Sequence, residues 1–511
     1  MNNYDEIRVK ESCFLRIKRF FFVKLKDKNF LKGISTVIGA AFINFIAGAI
    51  FSVCQLLLYE ISYIKRKNPS SNISIDNEAF YYPTVKITQH VAALFCGIIY
   101  KKIGLHFTNL IGIGFLFFGY LTLYLSKSLA ADIISMVFGG IGTGIIYYPS
   151  TANACEWFMN HNGVIIGIIE TMISLGSFFF NLLGEKIVGN AEEKGDEKEE
   201  FYSLEEGEKF KSFMLYLIIF VLVMYIISFL LTFKKTKDKF TDTKNIQVKL
   251  LQIEDDNDES YVSNKENETG KSFDQKQLEL IGNNIDFDKK KLDFKKMLFA
   301  AIKSKLLIMF ALIVILEAPL TSTIFALYQA IGKRNKIDRD ILNSIGPINF
   351  IFECLSGFLF GLLCDYFPKK YLLLFIFGFD SIIGYFYCLT FKSGVMFFIF
   401  TNLASFTSGG FYSVKDYYLI RVFGVEVYVT VIAYVNFCSA IIVLALTPLT
   451  YHLEKAEIKM LGYWVMFIIF GTCSVIGFIL SLSIKEEPFN YEKVLEENNE
   501  KEEKEGNSIG M

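Results

Sequence analysis

Three polar side chains share one face of an apolar stretch near residue 90. Lys86, Gln89 and His90 stand at positions i, i+3 and i+4, and Ala93 and Gly97 continue the same face. Polar side chains within a membrane span are costly, so they indicate a solute or ion pathway. Because an ammonium group binds carboxylates, the stripe predicts a substrate-binding face. Two simpler interpretations stay open: Lys86 reaching towards the lipid headgroups, and His90 packing as an ordinary buried histidine.

A second polar position emerges when the two parts of the chain are aligned on Gly97 and Gly361. Glu353 precedes Gly361 by eight residues, as Gln89 precedes Gly97. Eight residues of helix span about 12 Å, so both side chains are expected near the middle of a bilayer. Asn349 lies one turn before Glu353 and shares its face. We predict that Gln89, Asn349 and Glu353 face one central cavity and bind the substrate.

Two carboxyls are candidates for proton coupling. Glu353 can accept a proton from one side of the membrane and release it to the other, although exchange without protons fits the sequence equally well. Glu317 stands beside Pro319, where a proline frees backbone groups of the helix. Further candidates line the cavity or gate it. They are Tyr147 and Asn436 for substrate binding, Lys415 and Asp416 as a gating ion pair or as interfacial anchors, and Glu170, Asp380, Tyr148 and Arg421 on weaker grounds.

Membrane-spanning helices must position these side chains. Hydrophobic residues make up 52% of the 511 positions and phenylalanine alone supplies 53, which is too apolar for a soluble chain of this length. A helix needs about 20 mainly apolar residues to cross the hydrocarbon. The sequence therefore predicts an all-α membrane protein of twelve spans in two pseudo-symmetric six-helix halves. The predicted spans are 34–59, 83–101, 106–126, 129–151, 164–184, 212–233, 305–330, 342–364, 371–391, 394–418, 427–450 and 460–484.

Polar segments define the organisation around these spans. Basic residues before the first span favour a cytoplasmic N-terminus, and an even number of spans puts the C-terminus on the same side, although basic residues at 333–339 oppose this orientation. The net charge of −1 indicates no nucleic-acid partner, and Asn72 begins a single outer-loop glycosylation sequon. The predicted segments are a basic cytoplasmic segment 1–33, a first half 34–233, a cytoplasmic, disordered linker 234–300, a second half 301–484 and an acidic cytoplasmic tail 485–511.

Two glycine-led runs occupy matching short loops. They are Gly97-Ile-Ile-Tyr-Lys101-Lys102-Ile-Gly104 and Gly361-Leu-Leu-Cys-Asp365-Tyr-Phe-Pro-Lys-Lys370. The Gly-x-x-x-Asp-x-x-x-x-Lys pattern of the second run resembles the loop signature of the major facilitator superfamily. The first run departs from it, with Lys101 where the family usually has Asp. The resemblance implies a two-half transporter fold in which the glycines, Asp365 and the lysines Lys102 and Lys370 gate one end.

A further run resembles one branch of that superfamily. Trp157, Phe158, Gly163 and Gly167 are similar to four anchors of the monocarboxylate transporter and oxalate/formate antiporter-like branch. That branch carries an acid at the place of Glu353, followed four residues later by an arginine that helps to bind substrate. Here the arginine position is Gly357, so Lys86 from the other half is the expected substitute.

The expected function is secondary active transport of a small monocarboxylate or other organic anion, with or without coupled protons. The alternative is a transporter of another solute class, such as an amino acid, a sugar or another small metabolite. A receptor is a further alternative. The sequence offers no metal cluster, nucleophile–base pair or phosphate loop within its spans, which argues against an enzyme and against a cofactor. The expected partners are the small-molecule substrate, protons and the lipid bilayer of a plasma or organelle membrane, with a monomeric transport unit.

Overall fold

A computed structural model of the protein describes residues 28–69, 73, 80–188, 203–235, 294–455, 459–491 and 494. Several sequence predictions lie outside the described residues. They are the glycosylation site at Asn72, most of the basic segment 1–33, most of the linker 234–300 and the greater part of the acidic tail 485–511.

Twelve long helices run through the described part of the chain, which contains no strand. Those before the linker are α1 (Lys28–Lys67), α2 (Tyr81–Ile103), α3 (Leu105–Leu125), α4 (Leu129–Trp157), α5 (Asn162–Val188) and α6 (Leu204–Leu231). After a short helix, Phe294–Lys303, follow α7 (Lys305–Arg334), α8 (Arg339–Tyr366), α9 (Lys369–Phe386), α10 (Gly394–Phe423), α11 (Val425–Lys455) and α12 (Lys459–Ser481). Each predicted span overlaps one of these helices, and the all-α membrane fold is confirmed.

Eleven of these described helices are long and apolar enough to cross a membrane, and α2 is the exception. Its 23 residues correspond to about 35 Å of helix, so its length suffices. The polar stripe at Lys86, Gln89 and His90 lowers its mean hydropathy instead. The helix that carries the predicted substrate-binding stripe is therefore the least typical membrane span. It packs against α4 and α11, which hold it within the bundle.

The two sets of six helices pack in the same way. In the first half α1 contacts α5, α2 contacts α4, and α3 contacts α6. The second half repeats these pairs six helices later, as α7 with α11, α8 with α10, and α9 with α12. Across the halves α5 packs on α8 and α2 packs on α11, which are again equivalent pairs. The repeated contacts give the pseudo-symmetry that the matching loops predicted.

Local sequence signals explain where several helices begin and end. The Ser203 hydroxyl accepts the backbone N–H of Glu206, whose carboxylate accepts the N–H of Ser203, and this capping box starts α6. Gly104 ends α2 and Gly424 ends α10, with φ angles of 82° and 81°. Residues other than glycine rarely adopt this left-handed conformation, so each glycine permits the tight turn into the next helix.

A buried ion pair joins three helices of the first half. The Lys211 ammonium on α6 lies 2.5 Å from the Glu60 carboxylate on α1, which is fully buried. The same ammonium donates to the carbonyls of Leu123 and Ser126 at the end of α3, at 2.7 and 3.0 Å. Every N–H bond of this ammonium thus has an acceptor, which is the condition for a charge to be tolerated away from water.

Replacing Lys211 with methionine is expected to destabilise the protein, because the Glu60 carboxylate loses its partner. Breaking a buried pair costs about 3–5 kcal/mol. We expect the Tm of detergent-solubilised protein, followed by intrinsic fluorescence, to fall by at least about 5 °C. The control is Lys209→Met, which breaks an exposed pair with Glu205 and should change the Tm by about 1 °C or less. Equal Tm changes in the two variants would show that the buried pair does not stabilise the fold.

Candidate functional site

Most of the predicted substrate-binding residues converge on one cavity between the two halves. Its wall is formed by α1, α2, α4 and α5 on one side and by α7, α8, α10 and α11 on the other. The cavity contains about 890 Å³ of atom-free space, its open mouth included. Tyrosines apart, the ionisable side chains that line it are Lys86, His90, Glu170, Glu353 and Lys415.

Lys86 points into this cavity and not towards the lipid headgroups. Its ammonium nitrogen lies 4.5 Å from the centroid of the Phe51 ring, 5.5 Å from Tyr82 and 5.6 Å from Tyr412. Among the described residues, no carboxylate oxygen lies within 4.0 Å of it. Aromatic faces attract cations, but they leave the N–H bonds without acceptors. The ammonium is therefore available to an anionic group that enters the cavity.

Gln89 and His90 accompany Lys86 on the cavity wall. Their exposed fractions are only 6% and 8%. The Gln89 Oε1 and His90 Nδ1 atoms have no hydrogen-bond partner within the described part of the chain. Buried polar atoms of this kind are usually satisfied by water or a ligand. The predicted stripe thus presents one cation and two unsatisfied polar atoms to the same space.

Glu353 faces the cavity from the second half, as the alignment of the halves predicted. Asn349, one turn earlier, is buried and does not line the cavity; both polar atoms of its amide lack a partner among the described residues. Glu317 lies just behind the wall and accepts a hydrogen bond of 3.0 Å from the hydroxyl of Thr321, which does line the cavity. The two predicted proton-coupling carboxyls therefore occupy different layers, Glu353 at the cavity and Glu317 behind it.

A network of hydrogen bonds joins the halves beside the cavity. The Tyr147 hydroxyl contacts the carboxylates of both Glu170 on α5 and Asp416 on α10. The Tyr428 hydroxyl donates to Asp416 at 2.6 Å. Gly357, where the resemblance implies an arginine, packs on this part of α5, because a Cβ added there would lie 3.6 Å from the Glu170 Cβ. The carboxylates thus occupy the region where an arginine side chain was expected.

Lys415 extends the same network. Its ammonium donates to Asn436 at 3.0 Å and lies 3.8 Å from Asp416, and the Asn436 amide donates to Tyr148 at 2.7 Å. Lys415 and Asp416 are 3% and 0% exposed, so they are not interfacial anchors. Sequence reasoning missed Tyr412, whose ring faces both lysines of the cavity. The sequence did contain an indication of this, because Tyr412 precedes Lys415 and Asp416 by three and four residues and therefore shares their helical face.

One end of the cavity is closed by contact between α5 and α8. The Asp365 carboxylate accepts the backbone N–H groups of Gly163 and Val164, both at 3.0 Å. One turn further, a Cβ added to Gly361 would lie 2.4 Å from the Cα of Gly167. The two backbones therefore touch, and only glycine fits there. The contact is a carboxylate on a helix N-terminus, and the partners of Asp365 in it are backbone N–H groups rather than the predicted gating lysines Lys102 and Lys370.

The equivalent contact between α2 and α11 closes the same end. A Cβ added to Gly97 would lie 2.1 Å from the Thr430 hydroxyl oxygen. Lys102 is exposed, and Lys370 uses its backbone N–H, which donates to Glu486 at 3.2 Å. Of the predicted gating residues, Gly97, Gly361 and Asp365 thus lie between the halves, whereas Gly104 forms the turn described above and the two lysines lie at the periphery.

Aromatic rings from both halves meet at the opposite end. The centroids of Tyr82 on α2 and Phe325 on α7 are 5.0 Å apart, and Phe325 lies 5.9 Å from Phe350. The rings are tilted or edge-on to one another, a geometry that aromatic pairs favour and that a small rotation can disrupt. The contacts that the described residues make between these rings are contacts of side chains, in contrast to the backbone contact at Asp365.

Replacing Gly361 with valine is expected to hold open the end of the molecule at Asp365, because the added carbons collide with α5. We would place spin labels on cysteines introduced at the exposed positions Met159 and Tyr366, one in each half, after replacing the native cysteines. Their distance should lengthen by several ångströms in the variant. The control is Gly114→Val, since a Cβ there meets nothing within 4 Å. An unchanged distance in Gly361→Val would refute the glycine contact as the closing element.

Comparisons with known proteins agree with this architecture. Residues 83–330 match the family model described as Major Facilitator Superfamily. No curated protein sequence matches the chain significantly. A solved structure of the proton:xylose symporter XylE, bound to 6-bromo-6-deoxy-D-glucose, is similar with a TM-score of 0.60 at 13% identity, over 88% of this chain and 94% of that one.

Two further solved structures share the fold. A double-tryptophan variant of XylE has a TM-score of 0.64 at 12% identity, covering 91% of this chain and 98% of that one. The human organic anion transporter MFSD10 (TETRAN) has a TM-score of 0.56 at 12% identity, covering 89% and 100%. The family match covers residues 83–330, just under half of the chain, and the solved structures share the fold at 12–13% identity; the chain is therefore similar to the major facilitator superfamily in sequence over that range and in fold over nearly its whole described length.

Proposed function

We propose that the protein transports a small organic solute that carries a carboxylate group, and that Lys86 binds this carboxylate. The position of Lys86 is the observation that carries the proposal. An ammonium group buried between the halves of a membrane protein is costly unless it serves a function. Here it is surrounded by three aromatic rings and has no carboxylate within ion-pair distance among the described residues. A solute carboxylate supplies the missing partner.

The geometry of the two ends supports alternating access. The halves touch through backbone at Gly361 and Gly167, and through aromatic rings at Tyr82 and Phe325. Rocking the halves about the central cavity opens one end while the other closes, as in transporters built from repeated halves. We propose that the Asp365 end faces the cytoplasm, with both termini, because the start of α1, which carries Lys28 and Lys32, lies at that end beside Phe158.

Proton coupling forms the second part of the proposal. Glu353 at the cavity and Glu317 behind it are the two candidate carriers. A proton carrier must take up its proton from one side of the membrane and release it to the other. A carboxyl beside a cavity that opens to the two sides in turn satisfies this condition. The proton:xylose symporter XylE and the organic anion transporter MFSD10 share the fold of this chain at 12–13% identity. These similarities in fold are compatible with transport of an organic anion or co-transport of a proton by this chain.

A solute of another class is the second candidate. It is favoured by Glu170 and Glu353, whose carboxylates line the same cavity and repel a simple anion. Gly357, in place of the arginine that the resemblance implies, points the same way. Amino acids, sugars and other small metabolites belong in the transport assay for this reason.

Replacing Lys86 with methionine is expected to lower uptake of the solute at least about tenfold, because the carboxylate loses an opposite charge worth about 1.4 kcal/mol or more. The assay measures radiolabelled uptake into proteoliposomes. Lys86→Arg should retain part of the activity, since it keeps the charge. Lys127→Met, at an exposed loop position, is the matched control and should transport normally. Full activity of Lys86→Met would overturn the proposal.

The same proteoliposomes test the solute and its coupling to protons. Pyruvate, lactate, formate, oxalate, a panel of amino acids and a panel of sugars are offered with and without an inward proton gradient. We expect accumulation driven by the gradient, and we expect Glu→Gln replacement of the carrier, Glu353 or Glu317, to abolish the dependence on the gradient while facilitated exchange persists. If uptake by both variants keeps the wild-type response to pH, neither carboxyl carries the proton.

A further inference from the structure

We infer that the transported solute carries an ammonium group beside its carboxylate: it is a zwitterionic amino acid, with its carboxylate on Lys86 and its ammonium on Glu353. The inference rests on the proposed function and specifies its substrate class. It starts from two opposite charges that face one cavity from opposite halves and form no ion pair with each other.

The two groups line one cavity but are too far apart to pair directly. Lys86 on α2 and Glu353 on α8 both line the cavity, and each feels the charge of the other. Their charged atoms are farther apart than the 4.0 Å that defines an ion pair. The carboxylate and the ammonium of an amino acid are borne by one carbon atom, so with a hydrogen bond of about 2.8 Å on either side the solute can join two charged groups that are too far apart to contact each other. A zwitterion thus completes a pair that the protein leaves open.

Charge balance separates this substrate from a simple anion. Lys415 is already paired with Asp416 and hydrogen-bonded to Asn436. The remaining cation is Lys86, and Glu353 faces it. A monocarboxylate neutralises Lys86 but leaves the Glu353 carboxylate facing it without an opposite charge. A zwitterion compensates Lys86 and Glu353 at once, while the Glu170 carboxylate is already held by the Tyr147 hydroxyl beside Asp416.

The surroundings of Glu353 leave room for an ammonium. The groups that act on its carboxyl are Lys86 and Tyr82 from α2, Ser174 from α5 and Tyr412 from α10. Ser174 is within hydrogen-bonding reach of one carboxylate oxygen. An ammonium has three N–H donors, and the cavity wall offers two kinds of acceptor, the Glu353 carboxylate and the Gln89 Oε1 atom, which has no partner among the described residues. With Glu353 ionised for this purpose, Glu317 remains as the proton carrier.

The rest of the wall selects an apolar side chain. Phe51 and Tyr82 lie against Lys86, and Tyr82, Phe325 and Phe350 form the aromatic end of the cavity. These rings offer apolar area and no carboxylate or ammonium to pair with a charged side chain. Leucine and phenylalanine are therefore the expected type of substrate.

The test compares solutes that differ by one charged group. Leucine is matched with 4-methylpentanoate, which lacks the ammonium, and with 3-methylbutylamine, which lacks the carboxylate. Phenylalanine, 3-phenylpropanoate and 2-phenylethylamine form a second set. In proteoliposomes we expect uptake of the labelled amino acid, with each analogue competing at least about tenfold more weakly, as expected for the loss of one charge-assisted contact.

Two variants assign the contacts. Glu353→Gln should bring leucine and 4-methylpentanoate to within about twofold of each other, because the ammonium no longer has a carboxylate partner. Lys86→Met should do the same for leucine and 3-methylbutylamine. Glu205→Gln, at an exposed site, is the control and should keep the wild-type ratios. Size-exclusion profiles identify any variant that fails to fold, and the wild-type comparison of analogues stands without the variants.

The outcomes separate the inference from the proposal beneath it. If 4-methylpentanoate is carried as well as leucine, the zwitterion is refuted and carboxylate transport stands. If neither carboxylic series is carried while a sugar or another uncharged solute is, the proposed function itself fails. Selective uptake of the amino acid, with loss of selectivity in Glu353→Gln, supports both.

Discussion

Backbone contact between α5 and α8 is the constraint on which the rest of the structure depends. Gly361 and Gly167 allow the helices of opposite halves to touch, and the Asp365 carboxylate holds the contact by accepting two N–H groups at the start of α5. Because helix N-termini attract anions, this cap is favourable without a lysine or arginine partner. The contact can break without stranding a buried cation, which suits an interface that must open and close.

Closing one end in this way restricts which ionised side chains the cavity between the halves can contain. The cavity between the halves is shielded from water on the side of Asp365, so each ionised group there needs a partner. The structure satisfies Lys415 and Asp416 internally, through each other and through tyrosine and asparagine side chains. It leaves Lys86 and Glu353 facing one another across the gap. In the proposed mechanism, a solute that satisfies both groups also joins the two halves, so the same charges link solute binding to the rocking motion.

Local sequence predicted the fold and part of the site. Runs of apolar residues and the stripe at Lys86 depend on helical periodicity alone, and both appear in the structure as expected. Contacts between distant helices do not follow from periodicity, and Tyr147 contacts Asp416 across 269 residues of chain. Lys415 and Asp416 were expected close to the end of a span at 418, but α10 continues to Phe423, which carries them deeper. The contact of Asp365 with the start of α5 could not be predicted either, because its partners are backbone N–H groups, which the residue types do not specify.

The measurement that tests this account most directly follows both ends of the wild-type transporter at once. One spin-label pair reports on the Asp365 end, at Met159 and Tyr366, and a second reports on the aromatic end, at Leu125 and Val395, all exposed positions. Adding leucine to labelled protein in lipid nanodiscs should shorten one distance and lengthen the other, so that the two change in opposite directions. Distances that stay fixed during measured transport, or that change together, would contradict alternating access around the Lys86–Glu353 cavity.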